Sequence, residues 1–319
     1  MRKHIFTALA TMLIGLASAA SASAEPVCSV DSKIGKQLNL PVYEWVDTDV
    51  PYRGTIVAVH GLTFYAEAYD DLAKHLSSQG YRFYAMDMRG FGRWRDESAK
   101  FGGDSGIHFT QSQEDLVKLV QTLRQQDADQ KIYAMGESLG ANMALWLVSN
   151  HPESCDGAIL GSLCCEKRVH PQARWVVDFA KGVKNPNKRL DLTPYITPYL
   201  SNDKSLTQAC LQDQKIFRAM SPVELVKADK TNKLAFDSVD QLPAGFPILV
   251  ISGKLDAVFK TSSLPDVLDK FGTKDVSVNI LPGKGHLLLE HQSVQPEIGS
   301  LIDGWLTHQG ATPEVVQLP

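Results

Sequence analysis

Apolar residues along the chain fall into two alternating kinds of segment. Thr55-Ile56-Val57-Ala58-Val59 is a short unbroken run, the composition of a buried strand, and it ends at His60-Gly61. Tyr69, Leu72, Ala73 and Leu76 then recur at i, i+3, i+4 and i+7, which predicts an amphipathic helix closed by Gly80. A second strand is expected over 81–87. Leu116, Leu119, Val120 and Leu123 repeat the helical stripe behind Thr110 and Ser112 as candidate N-caps, and strand returns at 132–135 and 157–163. The same pattern resumes at 247–251 and 276–281. A last helix carries Ile298, Leu301, Ile302 and Trp305 on one face, with Pro296 near its start, where a missing N–H costs nothing. Strands and helices in this alternation predict an α/β fold: a mostly parallel, doubly wound sheet with helices on both faces.

Between 164 and 243 the alternation breaks down into helical fragments, Pro and Asn turns and a basic cluster that includes Lys167, Arg168, Arg174, Lys181, Lys184, Lys188 and Arg189. We read this stretch as an inserted cap that divides the core into 25–163 and 244–319. No internal repeat is present.

The N-terminus changes the picture only by removing itself. Arg2, Lys3 and His4, an apolar stretch from Ile5 to about Leu16, and Ala22-Ser23-Ala24 form the pattern of a cleaved signal peptide over 1–24. The apolar stretch is shorter than the roughly 20 residues that span a bilayer. The expected product is exported, periplasmic or secreted. Cleavage deletes two cations and no acid, so the formal charge moves from −4 to −6, which argues against nucleic acid as the main partner. Cys28, Cys155, Cys164, Cys165 and Cys210 show no metal-ligand spacing, and in an exported protein structural bridging is their default reading, with the pairing left open. There is no H-E-x-x-H, no Walker sequence and no G-x-G-x-x-G opening a helix, so neither metal nor cofactor is expected.

Chemistry concentrates at strand ends. Gly136-Glu137-Ser138-Leu139-Gly140 lies between a predicted strand and a predicted helix, the context in which G-x-S-x-G makes a turn too tight for side chains at the glycines and lifts the serine hydroxyl above the sheet. A serine hydroxyl is a poor nucleophile at neutral pH and needs a base with an acid to orient it. Asp256 follows the strand at 247–251, and His286 follows the strand at 276–281. In a doubly wound sheet the loops after parallel strands converge on one edge, so Ser138, Asp256 and His286 are expected together. Taken singly, each has a plainer explanation: a turn serine, a helix-capping Asp, a surface His. Jointly, in this order, they predict a nucleophile, an orienting carboxylate and a general base. Asp237 and Asp240 precede their strand and compete weakly. The backbone N–H groups of Leu62 and Leu139 are the candidate oxyanion hole. His60 reads as a loop-shaping residue.

His60-Gly61-Leu62, Tyr69-Asp70-Asp71-Leu72, Gly80-Tyr81, Asp87-Met88-Arg89-Gly90-Phe91-Gly92, the serine pentapeptide, Ser252-Gly253-Lys254-Leu255-Asp256 and Gly285-His286 together resemble the monoacylglycerol lipase and lysophospholipase branch of the α/β-hydrolases, which also contains serine aminopeptidase-like members. The resemblance covers most of 50–310. It departs from the family at Phe91, Trp94 and Glu137. Asp87 and Arg89 read as scaffold residues. The resemblance implies hydrolysis of a small-molecule or lipid-like ester, with water as the second substrate, transient contact of the cap with a membrane surface and no obligate protein partner. Trp175 and Phe179, with Val183 at helical spacing, are candidate acyl-binding residues, or a lid helix packed on the core. An amidase or aminopeptidase would use the same three residues and would need an acidic site for its amine, for which Glu137 or cap acids are candidates. A binding protein with an inactive site would not need the complete set.

Overall fold

The structure is a computed structural model and describes residues 25–168, 185–291 and 296–309. The expected leader and the candidate residues Trp175, Phe179 and Val183 lie outside the described residues. Two short strands come first, β1 (Val27–Ser29) and β2 (Val42–Val46). The apolar runs form β3 (Gly54–Val59), β4 (Tyr81–Met86), β5 (Ile132–Glu137) and β6 (Gly157–Gly161). After β7 (Leu190–Asp191) and β8 (Ala219–Met220), which make a separate antiparallel ribbon, the main sheet continues with β9 (Ile248–Gly253) and β10 (Val276–Leu281).

The sheet order is β1-β2-β4-β3-β5-β6-β9-β10, antiparallel at β1 and β2 and parallel from β4 onward. Every residue of β3, β5, β6 and β9 is buried, as expected for central parallel strands covered on both faces. Side chains alternate between two cores. Val57 and Val59 face one, with α1 (Lys33–Leu38), Trp94 of α3 (Gly92–Glu97), α4 (Phe109–Gln126) and α5 (Leu139–Asn150). Ile56 and Ala58 face the other, against Leu72, Ala73 and Leu76 of α2 (Asp70–Ser78) and the C-terminal helix at 296–308. Register aligns the strand ends: Val59 opposes Gly136, Glu137 opposes Gly161, and Gly253 opposes Leu281. The loops that follow these strands therefore leave from one edge.

The helix at α2 closes as its stripe predicts, with Gly80 in the left-handed region at φ +94°. The start of α4 differs from expectation. His108 occupies the N-cap, and Thr110 and Ser112 lie inside the helix. The Ser112 hydroxyl is committed elsewhere, accepting the Arg89 N–H at 2.9 Å and donating to the His108 carbonyl at 3.0 Å. A tertiary contact has taken the group that local pattern assigned to a cap.

The segment between β6 and β9 adds α6 (Thr193–Leu200), α7 (Lys204–Gln212) and α8 (Pro222–Leu234). Ser221 and Glu224 form a capping box at the start of α8, with Pro222 at the first helical position. Backbone bonds tie this segment to the loops below it: Phe217 N–H to the Thr63 carbonyl at 2.8 Å and Leu287 N–H to the Leu200 carbonyl at 3.3 Å. Helix α9 (Leu264–Leu268) and α10 (Pro296–His308) complete the chain order.

The expectation of disulfide bridging is corrected. All five cysteines are free. Cys28 packs beside the α2 core, Cys155 belongs to the α5 core, and Cys210 lies in a third cluster with Phe64 and Leu200. The thiols fill separate parts of the interior as small apolar groups instead of stapling them together.

Candidate active site

Ser138 stands between the last residue of β5 and the first of α5, with φ +55° and ψ −117°. A non-glycine residue in that region is strained and persists only where its surroundings hold it. The flanking glycines supply the hold. A Cβ on Gly136 would overlap the backbone of Gly140, and a Cβ on Gly140 would overlap the Val59 carbonyl. The chain can thus turn from strand into helix within one residue, and the hydroxyl projects above the sheet edge.

The other two candidates meet it there. His286 Nε2 lies 3.0 Å from Ser138 Oγ, and its Nδ1 lies 2.8 Å from Asp256 Oδ2. Asp256 Oδ1 accepts the N–H groups of Val258 at 2.7 Å and Phe259 at 3.0 Å, so each carboxylate oxygen has a fixed duty. Burial alone would raise the Asp256 pKa, but the His286 charge and hydrogen bond, with those two amides, outweigh it and hold the carboxyl below its ordinary range. Burial likewise opposes charge on His286, and the Asp256 carboxylate, then Glu137, overcomes this and raises the imidazole above its ordinary value. The Ser162 hydroxyl fixes the His286 carbonyl at 2.5 Å. Neither Asp237 nor Asp240 pairs with His286.

Leu139 is the first residue of α5 and Leu62 lies in the turn closed by the Phe64 N–H bond to the Gly61 carbonyl at 3.2 Å. Among the described residues neither the Leu62 nor the Leu139 N–H has a protein acceptor. Both flank Ser138, and the Leu139 amide also carries the positive end of a helix dipole. His60 is fully buried. It accepts the Met88 N–H at Nε2 (3.0 Å) and so donates from Nδ1 to the Gly61 carbonyl (2.8 Å). Burial depresses it to about 4, which keeps it neutral and structural. Asp87 accepts the N–H groups of Ala66 and Arg93, and Arg89 makes a two-pronged pair with Asp115 beneath Trp94. These are scaffold contacts, as the sequence suggested.

A cavity of about 310 Å³ opens over Ser138 and His286. Its walls are mainly apolar: Leu62 and Phe64 from the core, and Leu192, Tyr195, Ile196, Tyr199 and Leu225 from the segment between β6 and β9. Apart from Leu62, sequence reasoning missed these residues, although Leu192, Tyr195, Ile196 and Tyr199 carry the i, i+3, i+4, i+7 stripe. Glu137 is corrected as an amine site. It is fully buried, its oxygens receive the N–H groups of Leu288, Leu289 and Glu290, and it does not line the cavity. Among the described residues no group of His, Cys, Asp and Glu is placed to hold a metal ion.

Comparison with known proteins places this geometry in a family. The model described as serine aminopeptidase, S33, matches residues 50–293. A Schizosaccharomyces pombe protein with the provisional name monoglyceride lipase is 25% identical over 284 residues, which is 86% of this chain and 72% of its own. Among solved structures, the Paleococcus ferrophilus monoacylglycerol lipase superposes with a TM-score of 0.66 at 20% identity, over 85% of this chain and 99% of that one. A soluble variant of the Saccharomyces cerevisiae monoglyceride lipase, in complex with a substrate analogue, gives 0.69 at 17% identity, over 84% and 92%. At such identities the structural likeness speaks to the fold. The family match, over more than half of the sequence, settles membership: the chain is an α/β-hydrolase of the serine aminopeptidase S33 family.

Proposed function

We propose that the protein hydrolyses carboxylic esters of single-chain acyl lipids, of monoacylglycerol or lysophospholipid type, through an acyl-enzyme on Ser138. The observation that carries this reading is the continuous line Ser138–His286–Asp256 at the floor of an apolar cavity. Neutral His286 takes the Ser138 proton at Nε2 as Oγ attacks the ester carbonyl carbon. The carbonyl oxygen becomes an anion in reach of the Leu62 and Leu139 N–H groups, a contribution of about 3 kcal/mol per donor. When the carbon–oxygen bond to the leaving group breaks, the imidazolium gives its proton to the departing alcohol. Water then repeats the sequence on the acyl-enzyme, releasing the acid and restoring Ser138. Asp256 keeps the imidazole in the tautomer that presents Nε2 as acceptor and stabilises the cation between the two transfers.

The lipase names of the relatives agree with the cavity. Its volume is at the lower end of the range of about 300–1,000 Å³ usual for small-molecule sites, which suits one acyl chain better than several. An aminopeptidase reading has the family's name in its favour, but it needs an ionised acid where a substrate amine can reach it. Glu137 is fully buried, held by three backbone N–H groups and absent from the cavity wall, and Glu290, which does line the cavity, is fully buried with Oε1 committed to the Gly61 N–H. Hydrolysis of p-nitrophenyl esters against aminoacyl anilides separates the two readings. Faster anilide turnover would overturn ours.

Ser138→Ala should lower kcat on the order of 10⁴-fold or more, and Asp256→Asn about 10⁴-fold, without loss of the fold by circular dichroism. Near-normal turnover in either variant would remove that residue from the mechanism. Because only neutral His286 accepts the proton, kcat/KM should rise with pH through an inflection above the ordinary histidine value of about 6.5, the direction of the His286 shift. In Asp256→Asn the carboxylate that raises His286 is gone, so the residual inflection should move to lower pH. An inflection that stays in place would point to another base.

Cavity walls from α6 and α8 should read chain length. Ile196→Ala and Leu225→Ala each withdraw apolar surface worth about 0.8 kcal/mol per methylene, so KM for C8 to C12 esters should rise on the order of tenfold while acetyl esters change little. Equal loss along a C2 to C12 series would show that these residues do not contact the acyl chain.

A further inference from the structure

Two buried carboxyls behind the site take no part in the proton transfers above. Glu137 closes β5, and three consecutive amides, those of Leu288, Leu289 and Glu290, converge on it at 2.7–3.2 Å, so that the loop after His286 is wrapped around its head group. Glu290 is equally buried, and its Oε1 accepts the N–H of Gly61 at 2.7 Å. Gly61 is held on its other side as well: its carbonyl accepts His60 Nδ1–H at 2.8 Å and the Phe64 N–H at 3.2 Å. There is little space around it. A Cβ at Gly61 would lie 3.2 Å from Glu290 Oε2, 3.3 Å from the Glu137 carbonyl and 3.7 Å from Ser138 Cβ.

The Gly61 carbonyl and the Leu62 N–H belong to the same planar peptide, and they point in opposite directions. The Gly61 N–H belongs to the preceding peptide, so holding that N–H and the Gly61 carbonyl fixes both peptide planes that meet at the Gly61 Cα, and with them where the Leu62 N–H is aimed. We propose that Glu290 is a positioning residue for the oxyanion hole: by accepting the Gly61 N–H it fixes the His60–Gly61 peptide, and with the Gly61 carbonyl held by His60 Nδ1–H and the Phe64 N–H this leaves the Leu62 N–H aimed at the oxygen that gains charge. The proposal rests on the Ser138 ester-hydrolysis reading given above. Glu137 links this support to the base, because the amides it gathers lie two to four residues after His286 and the last of them is that of Glu290 itself.

Electrostatics suit the role. Burial, then the charge of Glu137, holds the Glu290 carboxyl well above its ordinary value, while burial pushes Glu137 up to about 7 against the lowering effect of His286 and the three amides. Both shifts disfavour a second negative charge behind the developing oxyanion.

Two conservative variants separate this role from simple packing. Glu290→Asp keeps a carboxyl but retracts it by one methylene from Gly61. Glu290→Gln keeps an acceptor oxygen at full reach without a titrating group. On an ester substrate with the full chain, Glu290→Asp should lower kcat by 10- to 100-fold with KM changed less than about threefold, the scale of a misaimed catalytic group, and Glu290→Gln should recover most of that loss. Affinity for a trifluoromethyl ketone, which forms a charged tetrahedral adduct, should fall in parallel with kcat/KM, whereas affinity for the product acid should not. A role confined to packing would lower the melting temperature and leave the ratio of the two affinities unchanged. Glu290→Asp at wild-type rate, Glu290→Gln slower than Glu290→Asp, or losses appearing in KM alone would each overturn the proposal. Absence of ester turnover in the wild-type protein would instead remove the reading on which it rests.

Discussion

The one-residue turn at Ser138 is the constraint on which the rest of the site depends. A strained backbone there is held because β3, β5 and α5 meet with no atoms to spare: the Gly136 position abuts Gly140, and Gly140 abuts the Val59 carbonyl. Close contact of three elements turns a local cost of order 1–3 kcal/mol into a fixed direction for one hydroxyl. From that point the parallel sheet does the remaining placement. Because β5, β9 and β10 end in register at one edge, the loops carrying Ser138, Asp256 and His286 meet without any long excursion of the chain.

Around this line the polar groups are arranged in order of burial. Asp256 is almost wholly enclosed and receives three hydrogen bonds, so its charge is stabilised by partners and not by water. His286 is slightly more open and faces the cavity. Behind both, Glu137 and Glu290 organise backbone amides, one under the His286 loop and one under the Gly61 turn. The segment between β6 and β9 closes the arrangement from above, pinned at Thr63 and Leu287, two residues that themselves line the cavity. Apolar walls over a polar floor leave room for an ester whose acyl chain is dry and whose carbonyl meets donors.

Much of this was legible from residue order. Unbroken apolar runs gave the central strands, because a strand covered on both faces needs apolar side chains at every position. Placement of Ser138, Asp256 and His286 at one edge followed from three strand-end loops in a parallel sheet. What local pattern does not carry is the use made of a polar group by a distant partner. Ser112 looks like a cap and instead holds Arg89; Glu137 looks like an acid beside a nucleophile and instead holds the 288–290 amides. Thiol pairing failed for the same reason, since Cys28, Cys155 and Cys210 belong to three different clusters. The cavity stripe at Leu192, Tyr195, Ile196 and Tyr199 was present but interrupted by Pro194 and Pro198, residues that mark turns more often than helices.

The central claim is that a single activated hydroxyl, that of Ser138, carries the acyl group. Brief reaction of the full chain with a slowly deacylating ester, followed by acid quench and peptide mass spectrometry, reads this directly. The account predicts one acyl group per chain, located on Ser138, and its absence when the protein is unfolded before the ester is added. Steady ester turnover with no acyl group on Ser138, or with the acyl group on another residue, would contradict it.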